Sequence, residues 1–157
     1  MQVIAIHRLF FGAALIEAVA SIAVWIFLNP GSASPLSHAH ELVFGYGLAV
    51  VAGFLFTRTS RFTGLLTLGL WTAARLSWLL LPDSLALLRA ALTMASTTAI
   101  ASLAAWTFSR SIKRGRNGVF PVPLLVLPLC EAMFLSPALG ASGVRNAGRL
   151  TLLSAHG

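Results

Sequence analysis

Five apolar runs, at roughly residues 9–28, 41–57, 63–81, 85–108 and 119–139, alternate with short segments rich in turn-forming and basic residues. Each run approaches or exceeds the length of about 20 residues that a helix needs to cross a bilayer. None has the strict apolar–polar alternation of a membrane barrel strand, and backbone in lipid must find its hydrogen bonds within the chain, so the runs predict helices. The expected fold is an all-α polytopic transmembrane helix bundle, a single domain over residues 1–157. Residues 144–155 read either as a tail or as the start of an incomplete sixth helix.

The breaks carry turn chemistry: Asn29-Pro30-Gly31-Ser32 through Pro35, Thr57 through Arg61, Pro82-Asp83-Ser84, and Arg110 through Gly118. Pro121 and Pro123 suit the first turn of the fifth helix, whereas Pro128 falls inside it and predicts a kink. Ala18-Val19-Ala20 looks like a signal-peptide cleavage site. The apolar run continues past it to Leu28, however, with only Arg8 as a basic flank, so a retained first helix is expected.

Composition agrees with this pattern. Of 157 residues, 57% are hydrophobic and 10% charged, against a charged share of about 25% in soluble domains. The net charge of +7 raises nucleic acid as a partner, but the basic residues lie between apolar runs rather than on one water-facing surface, which excludes it. Sorting Lys and Arg by the positive-inside rule puts the amino terminus in the cytoplasm, with Arg8, Arg58, Arg61, Arg110, Lys113, Arg114 and Arg116 inside. Arg145 and Arg149 in the tail then fall outside and weaken the pattern. Cys130 has no second cysteine to pair with.

The chain holds four histidines and four acidic residues, and Ser37-His38-Ala39-His40-Glu41 gathers three of these eight at the outer mouth of the second helix. Residues two apart in a helix point about 200° away from each other. His38 and His40 can grip one metal ion, such as copper, only from an extended lead-in. The plainer reading is a Ser37 cap followed by interfacial histidines. Glu41 opens the row Glu41, Gly45, Ala49, Gly53, whose small members let two membrane helices touch closely, so its carboxyl is expected to face a neighbouring helix. His7 lies at the other end of the first helix, about 30 Å away, with either a separate role or an interfacial one. His156 sits in the short tail.

Charges inside a bilayer cost about 2.5–3.5 kcal/mol each on insertion scales and are usually paired or functional. Glu17, Arg75 and Glu131 all fall near mid-depth, roughly 13–18 Å in. Arg75 is expected to pair with Glu131, Glu17 or both, sheltered by Trp71 and Trp78 on the same helical face. The trio reads as a buried structural ion pair or as a proton relay. Phosphate loops, nucleophile elbows and paired cysteine sites are missing, which argues against soluble-enzyme chemistry.

Several segments resemble the NnrS family: His7-Arg8-Leu9-Phe10-Phe11, His38-Ala39-His40-Glu41-Leu42-Val43-Phe44-Gly45-Tyr46, and Ala52 through Thr57. Further matches are Thr63-Gly64, Trp71 with Arg75, and Arg116-Asn117 followed by Val119-Phe120-Pro121. The resemblance implies a bacterial inner-membrane protein containing haem and copper and acting in nitric oxide metabolism or nitrosative-stress protection. The family's histidine motifs fall on His7, His38 and His40, with Glu41 beside them as cofactor-binding candidates. Leu42 stands where the family usually has methionine. Family members usually carry about twice as many helices, so the chain resembles a short form covering the amino-terminal part. A bis-histidine haem needs two ligands at one depth, so a second copy or another membrane subunit is expected to complete the site. Two alternatives remain open, a cofactor-free packing or assembly protein and a small proton-coupled transporter using Glu17, Arg75 and Glu131.

Overall fold

A computed structural model describes residues 5–28, 35–110 and 121–136. Apart from Ala5 and the short breaks at residues 59–60 and 81–82, these residues are all helical. Helix α1 (Ile6–Ala23) continues as a π-helical segment, Val24–Leu28. Helix α2 (Pro35–His40) runs through a second π segment, Glu41–Gly47, into α3 (Leu48–Leu55), making one continuous rod. Helices α4 (Arg61–Leu80) and α5 (Ala86–Arg110) follow after 3-10 turns at Phe56–Arg58 and Asp83–Leu85. Helix α6 spans Pro121–Ser136.

These five rods match the five predicted runs. Three helices, Ile6–Ala23, His38–Leu55 and Ala86–Arg110, are long and apolar enough to cross a membrane. Helix α4 has 20 residues, about 30 Å of length, but is more polar, and α6 is apolar but shorter. Residues 144–155, where a sixth helix was one of two alternatives, lie outside the described residues. One local expectation is corrected. The second helix starts at Pro35 rather than Glu41, because proline at a first helical position loses no hydrogen bond and no breaker follows until the π segment. Pro128 falls inside helix α6, as the sequence places it.

The rods pack through small residues. Ala14, Ala49, Ala52, Ala74, Ala101 and Ala104 are all buried, with Phe10 and Phe56 edge to face at 5.3 Å among them. Large side chains such as Leu15, Ile16, Val19, Phe54, Phe62, Leu66, Leu87 and Met133 point outward. An apolar exterior of this extent belongs in lipid rather than water. Ser60 caps α4, its Oγ accepting from Thr63 N at 3.1 Å.

The predicted small-residue row is the seam between α1 and the α2–α3 rod. A Cβ on Gly53 would stand 2.9 Å from the Phe11 ring. Gly53→Val is therefore expected to push α1 off α3 and cost about 1–3 kcal/mol. Unfolding in mixed micelles checks this, and unchanged stability would contradict the seam.

Candidate functional site

The π segment begins one residue after His40. A π turn closes i→i+5 hydrogen bonds and changes the register of the rod, a distortion frequent at functional sites. Trp71 on α4 donates from Nε1 to the Gly45 carbonyl at 3.2 Å, fixing α4 against this irregular stretch. Glu41 reaches the same helix, where Arg75 Nη1 donates to its Oε2 at 2.9 Å. The Glu17 carboxyl of α1 comes up beside Glu41, both reaching the Cα of Gly45. Gly45 leaves room for this meeting, since a Cβ there would stand 2.8 Å from Glu17 Oε1 and 3.1 Å from Glu41 Oε2.

His40 extends the network to α6. Its Nε2 lies 3.0 Å from Glu131 Oε1 and its Nδ1 lies 3.5 Å from Glu41 Oε1. Both partners of the closer contact are buried, His40 at 4% exposure and Glu131 at 0%. The ring stacks on Phe134 with centroids 4.5 Å apart and lies 5.1 Å from Phe44. Three of the chain's four acidic residues thus converge with one guanidinium and one imidazole in an apolar bundle. Charges removed from water persist only when paired in this way.

Equal depth, as predicted, brings Glu17 and Arg75 into one layer, but the pairing differs from the expectation. Arg75 binds Glu41, and Glu131 binds His40. The reason is depth before rotation: a rod that begins at Pro35 carries His40 and Glu41, expected at the outer mouth, about 9 Å further in, level with Arg75 and Glu131, and the faces presented by α4 and α6 then select the pairs. The indoles also serve other groups. Trp71 holds Gly45, while Trp78 lies beneath the Arg89 guanidinium at 5.1 Å and donates from Nε1 to Thr93 Oγ1 at 3.0 Å. Sequence reading missed Arg89 and Thr93. The signal was the short 82–85 turn, which folds α5 back along α4 and sets both residues opposite Trp78.

The histidine candidates do not converge. Helix α2 continues through His40, so no extended lead-in exists, and His38 is turned about 200° from its neighbour. His7 stands ten residues before Glu17, about 15 Å down α1, closer than expected but still beyond a shared ligand set. Both ring nitrogens of His40 face carboxyl oxygens. Among the described residues no three His, Cys, Asp or Glu side chains are grouped to hold a metal. The donors of one bundle therefore do not fit a complete haem or copper site. His156 lies outside the described residues.

A family model described as NnrS protein matches residues 5–155. The chain belongs to the NnrS family. No curated protein and no solved structure matches it. The NnrS match takes in every residue of the layer, from Glu17 to Glu131, and His7 with it. It extends beyond the described rods at the carboxyl end.

Proposed function

We propose that this NnrS-family protein acts in the nitric oxide response of a bacterial inner membrane, as a multi-pass protein with a cytoplasmic amino terminus. Its working centre is the layer formed by Glu17, His40, Glu41, Arg75 and Glu131. Family membership supports the nitric oxide role, and the buried ionic network supports the location, since intramembrane ionisable groups mark functional pathways. Haem and copper, on this reading, draw ligands from a second copy or another membrane subunit, because the imidazoles of one bundle point apart.

The test is a detergent-purified preparation examined for its visible spectrum with and without nitric oxide, with iron and copper measured per chain. A visible band that shifts with nitric oxide, in an oligomer or a complex, is the expected result. A folded, colourless and metal-free preparation would overturn the cofactor reading. It would favour the second reading, a proton-coupled carrier, for which the observation is the unbroken contact path Glu17, Glu41, His40, Glu131.

A further inference from the structure

Helix α5 brings another set of polar atoms to the layer. Thr93, Ser96 and Thr97 lie on its buried stripe, which runs on through Ile100, Ala101 and Ala104. Their exposures are 0%, 1% and 0%. Thr93 is accounted for, because its hydroxyl donates to Arg89 O at 2.8 Å and accepts from Trp78. Ser96 Oγ and Thr97 Oγ1 find no hydrogen-bond partner among the described residues. They do not even use the carbonyl one turn back, as Thr67, Thr72 and Thr107 do.

Two atoms across the bundle are in the same state. Arg75 Nε and Glu131 Oε2 are buried without a partner among the described residues, while the other ends of their side chains hold Glu41 and His40. Helices α4 and α5 run antiparallel, and the contact of Trp78 with Thr93 fixes their register. One turn back along α4 is Arg75, and one turn onward along α5 are Ser96 and Thr97, so these residues share a level. His40, 6.0 Å from Trp78 between ring centroids, brings Glu131 to the same region.

We infer that Arg75 Nε, Ser96, Thr97 and Glu131 Oε2 form a buried hydration site in the middle of the bundle. The set of groups selects the guest. The guanidinium N–H only donates, the carboxylate oxygen accepts, and two hydroxyls do either. An anion would meet Glu131 and a cation would meet Arg75, whereas water donates and accepts and typically makes about three such bonds in a protein interior. Lipid offers no alternative partner. The site joins α5, which otherwise meets the layer through Trp78, to its ionic network, and it does not depend on the nitric oxide reading.

Water-edited solid-state NMR on the full chain in liposomes tests the assignment. Transfer from water to Ser96 and Thr97 should build up several-fold faster than to Ile100 and Ala104 on the same stripe, and equal, slow transfer to all four would overturn it. A second arm uses Ser96→Ala with Thr97→Val in detergent. A hydrated site predicts a lower melting temperature for this pair. Unchanged or raised melting would overturn the proposal, because dry, unpartnered hydroxyls are relieved by apolar replacements of similar shape.

Discussion

Arg75→Leu should be one of the two most damaging single substitutions in the ionic layer, lowering unfolding free energy by about 3–5 kcal/mol, the range for breaking one side of a buried ion pair. The guanidinium is 7% exposed and donates to Glu41 at 2.9 Å. Glu41 lies beside Glu17, so the loss leaves two carboxyls facing each other without the guanidinium that held Glu41. Removing both partners in Arg75→Leu with Glu41→Leu should restore much of the stability, since an apolar pair replaces an ionic one at small cost. Denaturation in mixed micelles measures both variants. Arg110→Leu is the control, because Arg110 is exposed and lies 4.5 Å over the Trp106 ring, a contact of about 0.5–1 kcal/mol. A double variant no more stable than Arg75→Leu would refute the pairing.

His40→Leu is expected to rank with it, again about 3–5 kcal/mol, because Glu131 is 0% exposed and would keep no partner for Oε1. The effect should be local before it is global. Helix α6 meets the rest of the bundle through this contact and through apolar packing that includes Leu124, Leu127, Phe134 and the buried Leu135. Hydrogen exchange in α6 should therefore rise more than in α4, whose bonds to Gly45 and Glu41 remain. His40→Gln, which retains a side-chain N–H donor, should fall between the two. Equal exchange in α6 for wild type and His40→Leu would mean that the imidazole does not anchor this helix.

The row Glu41, Gly45, Ala49, Gly53 was legible because helical periodicity alone puts such residues on one face, and the structure packs that face against Phe11 and Glu17 of α1. The shared depth of Glu17 and Arg75 was legible too, since rise per residue fixes position along a rod. The depth of Glu41 was not, because the helix was expected to start there and starts at Pro35 instead. Position around the rod was not legible either: the choice of Glu41 by Arg75 follows from the rotation of α4, held by the Trp71 bond to Gly45. The π segment has no sequence signal of its own, yet it places that carbonyl. The extended lead-in that would let His38 and His40 share a ligand was one of two readings, and the structure takes the helical one, because Pro35 has already begun the helix.

The sequence by itself determined that the chain is a bundle of apolar helices, that one helix carries a small-residue seam, and that a few charged groups must meet near mid-depth. Periodicity and the cost of charge in lipid are properties of each segment, readable without its neighbours. Which carboxyl meets which cation, whether two histidines can share a ligand, and which hydroxyls are left unsatisfied were decided by the tertiary structure. Those depend on helix rotation and on a local change in helical register, and both are set by packing between segments distant in the chain.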